Sequence, residues 1–275
     1  MTNLETKRLH VDRWTINATL AGEGRPILFL HGLGMSWEWW RPTMDDLSDR
    51  YMVCAIDLPG WGGSSGMDPP QSGGSYRALV DGIIQSLGLG PTVVVGHSLG
   101  GYTAVRAASA GTTRIQGLLL VAPGGFGQIH NLWLRLVSFP VLGELAIRTG
   151  ALGSRIFMRS VVYDPSSISN DMLKLANIPL DRRKEFVREL RMGIQLGRTT
   201  AAYLVETPVE LQVPVQLVWG RHDRVLPVEI AYTAQRLLGA GPPVIFEHSG
   251  HLPQIEERGQ FKAVVDSFCS HVWRD

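Results

Sequence analysis

Short apolar runs alternate along the chain with longer stretches in which apolar residues recur three or four positions apart. Pro26-Ile27-Leu28-Phe29-Leu30, Tyr51-Met52-Val53-Cys54-Ala55-Ile56, Val93-Val94-Val95, Leu118-Leu119-Leu120-Val121-Ala122 and Pro214-Val215-Gln216-Leu217-Val218-Trp219 are runs of the uninterrupted kind. A strand reads this way when helices cover both faces of its sheet. Each run soon meets a glycine, proline or aspartate, residues that close an element and open a loop. Helices are expected between the runs: from near Ser36 as N-cap, with Trp37, Trp39, Trp40 and Leu47 inside; over Ser75 to Leu87, ended by Gly88; from Ser98 to about Ala110; over Val228 to Leu238; and from about Ile255 to Val272. Arg8 to Leu20 reads as a strand pair and Pro243 to Glu247 as a last strand. Strands alternating with helices predict an α/β fold, a mostly parallel sheet with helices on both faces.

The rhythm stops after Gly125. Residues 125–208 offer helical stretches but no convincing strand, and Leu132, Trp133, Leu134, Leu136, Val137, Phe139, Leu142 and Leu145 give the segment too much apolar surface to stay solvated. It is expected to be an insertion folded onto a core made of residues 1–124 and 209–275.

Charge then narrows the partners. With 26 basic against 25 acidic residues, a formal net charge of +1 and no basic stripe, nothing in the chain is suited to nucleic acid. A small molecule is the expected partner. Cys54 and Cys269 have no metal-ligand spacing and read as reduced core residues, and the eight histidines show no H-E-x-x-H pattern, so neither a catalytic metal nor another cofactor is expected. Met1 to His10 is polar, without an apolar signal core, and no apolar run reaches membrane-spanning length. A cytoplasmic protein without stable membrane insertion is expected.

The chemistry is carried at strand ends. Gly96-His97-Ser98-Leu99-Gly100 fits G-x-S-x-G, in which the glycines let the backbone turn sharply and expose a strained serine between strand and helix. The Leu99 N–H, at the first turn of that helix, could stabilise an oxyanion. So short a pattern also arises by chance, and a serine hydroxyl needs a base held in one tautomer by a third group. Two other strand ends supply candidates: Asp223 in Gly220-Arg221-His222-Asp223, and His251 in His248-Ser249-Gly250-His251. In a parallel sheet such groups meet at the carboxyl ends of the strands, and serine, aspartate, histidine is the chain order that goes with a nucleophile elbow. His248 competes with His251 for the role of base, and Asp223 competes with an ordinary turn aspartate. His31 and His97 read as structural or pocket-lining groups, and Asp57 and Ser64 as residues that stabilise their turn.

Taken together, His31-Gly32-Leu33-Gly34, Asp57-Leu58-Pro59-Gly60-Trp61-Gly62-Gly63-Ser64, Gly96-His97-Ser98-Leu99-Gly100-Gly101, Gly220-Arg221-His222-Asp223 and Gly250-His251 resemble the cap-bearing serine hydrolases of the α/β-hydrolase superfamily over nearly the whole chain. The resemblance implies an eight-stranded sheet and makes the insertion a helical cap. It implies Ser98 as nucleophile, His251 as general base and then acid, Asp223 as its orienting partner, and the backbone N–H groups of Leu33 and Leu99 as the oxyanion hole. Gly32, His97 and Met35 are then expected beside the substrate, with Trp133 and Phe139 of the cap lining an apolar pocket. Hydrolysis of a small alkyl or aryl carboxylic ester is the expected reaction, its rate falling in acid because an imidazolium cannot accept the serine proton. Carbon–carbon cleavage of a vinylogous diketone is the first alternative. Similar hydrolases that perform it commonly carry a tryptophan just after the catalytic histidine, where this chain has His251-Leu252-Pro253-Gln254. A thioesterase, lyase or cyclase on the same pocket and a receptor-like binding module are the others.

Overall fold

The computed structural model describes residues 2–66, 70, 72–111, 114–130, 156, 158–175 and 209–274. Its strands are β1 (Glu5–Val11), β2 (Trp14–Ala21), β3 (Pro26–Leu30), β4 (Met52–Ile56), β5 (Thr92–His97), β6 (Ile115–Val121), β7 (Val215–Gly220) and β8 (Val244–Phe246). They form one eight-stranded sheet in the order β1-β2-β4-β3-β5-β6-β7-β8. β2 runs antiparallel to both β1 and β4, and every other pairing is parallel. The parallel strands therefore all finish on one edge, and the loops beginning at His31, Asp57, Ser98, Ala122, Arg221 and Glu247 share it.

Alternate residues of the inner strands pack on opposite faces, as a period of two requires. One face sets Leu28, Leu30, Val94, Leu118, Leu120 and Trp219 against helices α2 (Gly73–Ser86), α3 (Leu99–Ser109) and α5 (Glu229–Leu238). The other sets Ile27, Phe29, Val95, Leu119 and Val218 against α1 (Arg41–Leu47) and α7 (Arg258–Val272), with Trp40 lying 5.0 Å from the Phe29 ring. Cys54 and Cys269 are free and buried in this core, and burial pushes each thiol up to about 12, which leaves them inert as nucleophiles.

Several expected elements differ in detail. The stretch after Ser36 opens as a 3₁₀ turn over Trp37–Trp40 before α1, and Trp37 is only half-buried. Ser36 does not cap it; the Trp37 N–H is taken instead by Asp57 Oδ1 at 2.7 Å. Helix α2 starts at Gly73 rather than Ser75, because the Ser72 hydroxyl accepts the Ser75 N–H at 3.2 Å. The last helix is two: α6 (Pro253–Glu256) and α7, parted at Glu257, whose φ and ψ of −124° and 54° are not helical. Within residues 125–208 the described part holds helical residues at 156 and 158–161, a 3₁₀ turn at Pro165–Ser167, the short helix α4 (Asn170–Leu175) and no strand. Among the described residues no helix is long and apolar enough to cross a membrane.

Candidate functional site

The strained serine of the sequence pattern sits where β5 turns into α3. Ser98 has φ 51° and ψ −111°, a conformation that costs an L-residue roughly 1–3 kcal/mol and must be imposed from outside. Here the surroundings impose it. The Ser98 N–H donates to Val121 O at 2.9 Å, and Ser98 O accepts from Tyr102 N at 3.0 Å and Gly124 N at 2.9 Å. Close packing explains the glycines: a Cβ on Gly96 would stand 2.6 Å from Gly100 O, and one on Gly100 would collide with Leu30 O. Ser98 and Leu99 are thereby left partly exposed at the sheet edge, while Gly96 and His97 are buried.

Asp223 and His251 come together at the next strand ends. Backbone bonds tie their loops to each other, Arg221 N to Phe246 O at 2.8 Å and His222 N to Ser249 O at 2.9 Å, and there is no room for a side chain on Gly220 beneath Gly250 O. His251 Nδ1 bonds to Asp223 Oδ2 at 2.7 Å, with both side chains almost wholly buried. The other carboxylate oxygen, Oδ1, accepts the N–H groups of Val225 at 2.8 Å and Leu226 at 2.9 Å. A carboxylate held by two amides faces the imidazole as an acceptor, so Nδ1 carries the proton and Nε2 is left as the basic nitrogen. Nε2 has no hydrogen-bond partner among the described residues, and no bond joins it to Ser98 Oγ. A catalytic bond of this kind need be tight only in the complex with substrate. His248, the competing base, is exposed, and it is His251 that bonds to Asp223.

His97 is a support. Its Nε2 donates to the backbone O of His251 at 2.9 Å, the two rings are 4.7 Å apart, and its Nδ1 lies 2.7 Å from where a Gly32 Cβ would stand. The residue expected beside the substrate thus lies beneath His251, between the elbow and the loop after β3. Met35 is buried nearby in the core, and Trp61 is buried too, while Trp133 and Phe139 lie outside the described residues.

The loop after β3 is fixed by His31. Its Nδ1 donates to Gly32 O at 2.7 Å while its Nε2 accepts the Leu58 N–H at 2.9 Å. A trans peptide points its C=O and N–H in opposite directions, so holding Gly32 O sets the direction of the Leu33 N–H. Neither the Leu33 nor the Leu99 N–H has a hydrogen-bond acceptor among the described residues. Asp57 braces the same corner: Oδ1 takes Trp37 N at 2.7 Å, and Oδ2 takes Gly63 N at 2.8 Å and Asn17 Nδ2 at 2.9 Å. Ser64 Oγ donates to Asp57 O at 2.7 Å, so both residues hold their turn, as expected.

Burial pushes the His31 imidazole below the ordinary histidine value of 6.5, against the opposing pull of Asp57 and of the Gly32 carbonyl. His97 lies well below it, through burial first and the neighbouring His251 second. Both stay neutral in the folded chain where the unfolded chain takes up protons, so stability falls as pH drops through about 6.5. Urea midpoints should fall between pH 7.5 and 5.5, and less steeply in His97→Gln; a flat or rising midpoint in the wild type would refute this.

Sequence reading passed over Glu256 and Glu257, which lie where the last helix breaks. Glu257 Oε2 accepts His248 N at 3.0 Å and Ser249 Oγ at 2.7 Å. Glu256 Oε1 accepts Gly250 N at 2.8 Å and its Oε2 accepts Tyr163 N at 2.6 Å. Partial burial raises the Glu256 carboxyl above the usual glutamate range, with the amides drawing it back. Two adjacent acids in a polar stretch give a sequence reader no sign of this work. Among the described residues no group of three or more histidines, cysteines and acids is arranged to hold a metal ion.

The comparisons with known proteins agree with this architecture. A family model described as the alpha/beta hydrolase family matches residues 27–264. An uncharacterised protein of Mycobacterium tuberculosis is 30% identical over 266 residues, covering 90% of this chain and 76% of that one. A 2-hydroxy-6-oxo-6-phenylhexa-2,4-dienoate hydrolase of Comamonas testosteroni is 24% identical over 90% of this chain and 88% of its own. Among solved structures, a hydrolase of the same name from Rhodococcus sp. strain RHA1 superposes with a TM-score of 0.78 at 22% identity, covering 100% of both chains, a likeness of fold. The chain, with its eight-stranded mostly parallel sheet and its G-x-S-x-G turn, belongs to the alpha/beta hydrolase family.

Proposed function

We propose that this hydrolase cleaves a small apolar carboxylic ester through an acyl-enzyme on Ser98. The observation that carries the reading is the buried 2.7 Å bond between His251 Nδ1 and Asp223 Oδ2, which leaves Nε2 basic on the sheet edge that also carries the elbow serine. Ser98 Oγ attacks the acyl carbon and passes its proton to Nε2. The oxyanion that forms lies between the N–H groups of Leu33 and Leu99, each worth about 2.7–4 kcal/mol of the barrier. His251 then hands the proton to the departing alkoxide. Water attacks the acyl-enzyme, His251 takes its proton, and that proton returns to Ser98 Oγ as the carboxylic acid leaves. His31 serves this cycle by fixing the Leu33 N–H, and His97 by holding the His251 backbone.

The apolar residues of the proposed cap, residues 125–208, favour alkyl or aryl acyl groups over sugars or charged peptides. The names of the Comamonas and Rhodococcus relatives favour a second reading, carbon–carbon hydrolysis of a vinylogous diketone with the same three residues. The leucine that follows His251, in place of tryptophan, favours the ester. A panel of p-nitrophenyl esters run beside a vinylogous diketone separates them. Higher kcat/KM on medium-chain or aryl esters is expected; diketone cleavage with inert esters would overturn the reading.

A further inference from the structure

We propose that Glu256 is a positioning residue for the base, its carboxylate clamping the turn that carries His251 to residues 163–164 so that the two segments are held as one. The inference rests on the assignment of His251 as base in the ester hydrolysis above. One carboxylate gathers four backbone donors from two distant parts of the chain. Oε1 accepts Gly250 N at 2.8 Å and Leu252 N at 3.4 Å, the amides on either side of His251. Oε2 accepts Tyr163 N at 2.6 Å and Asp164 N at 3.3 Å. Between these, the His251 N–H itself donates to Val161 O at 2.7 Å. Three successive amides around the base are thus committed, two to Glu256 and one to the strip that Glu256 also holds.

The fit is close. A Cβ on Gly250 would stand 2.6 Å from Val161 O and 2.8 Å from Tyr163 N, so the two backbones lie against each other with no side chain between them. Fixed peptide planes on both sides of His251 fix the direction in which its side chain leaves the backbone, and hence where Nε2 falls relative to Ser98. Both Glu256 oxygens are turned to the His251 turn and to residues 163–164. The Tyr163 ring adds a second tie by stacking on His222, beside Asp223, with centroids 4.2 Å apart. The strip from Val161 to Asp164 therefore touches the turns of both the base and the acid.

The test compares wild type, Glu256→Gln and Glu256→Ala with p-nitrophenyl butyrate, following the pre-steady-state burst of nitrophenol and the steady-state constants. Glu256→Ala is expected to slow the burst and kcat by roughly tenfold to a hundredfold, as misplacing a catalytic group by about an ångström does, with KM changing little. Glu256→Gln, which keeps one carbonyl acceptor, should fall between. Circular dichroism and urea midpoints establish that each variant is folded; if Glu256→Ala is not, Glu256→Gln decides. Folded variants with the wild-type burst and kcat would overturn the role of Glu256, as would a loss confined to KM. A wild type without any burst and without turnover would instead remove the ester-hydrolysis reading itself.

Discussion

Replacing Ser98 by alanine is expected to lower kcat by about a million-fold, because the acyl acceptor is gone and the residues arranged around it act as one unit. Folding should not suffer. The strained backbone at position 98 is held by bonds from its N–H and C=O to Val121, Tyr102 and Gly124, none of which involves the hydroxyl. A cooperative urea transition with an unchanged midpoint, together with the loss of ester turnover, is the expected pair of results. Some hydrolysis above the water rate should persist, since the amides of Leu33 and Leu99 remain. Retention of the wild-type rate would show that the reaction does not pass through Ser98.

Asp223→Asn is expected to cost about ten-thousand-fold in kcat while leaving the site's shape almost unaltered. The reason lies in the two N–H groups of Val225 and Leu226 that meet Oδ1. They require an oxygen, so the asparagine must turn its NH₂ toward His251. An NH₂ is a donor, and the imidazole answers by placing its own proton on Nε2, the tautomer that cannot accept from serine. The deficit should appear in kcat more than in KM, since Asp223 is buried behind the imidazole. A loss below tenfold would mean that this carboxylate does not set the tautomer of His251.

Much of this was legible before any coordinates. The inner strands are buried on both faces, so their apolar runs stand out, and the elbow announces itself because its glycines are sterically required, Gly100 lying against Leu30 O. Asp223 and His251 could be found by chain order at strand ends, because parallel strands deliver their following loops to one edge. What stayed hidden depends on tertiary partners. The 3₁₀ turn at Trp37–Trp40 follows from Asp57 reaching across from β4 to take the Trp37 N–H, a contact between residues 20 positions apart. The break at Glu257 follows from carboxylates drawn to the turn before His251, although the local sequence favours an unbroken helix. His97 read as either structural or pocket-lining, and sequence could not choose between them because the backbone oxygen of His251 that its ring holds lies 154 positions away. The expected pocket residues Trp133 and Phe139 stay with the sequence argument, outside the described residues.

The proposed catalysis depends on one relay of alcohol, imidazole and carboxylate, and its most direct test is intact and peptide mass spectrometry after treatment with diethyl p-nitrophenyl phosphate. One diethylphosphoryl adduct per chain is predicted, on the Ser98 peptide, forming far more slowly in His251→Ala. No adduct at Ser98, or labelling at an equal rate in His251→Ala, would contradict it.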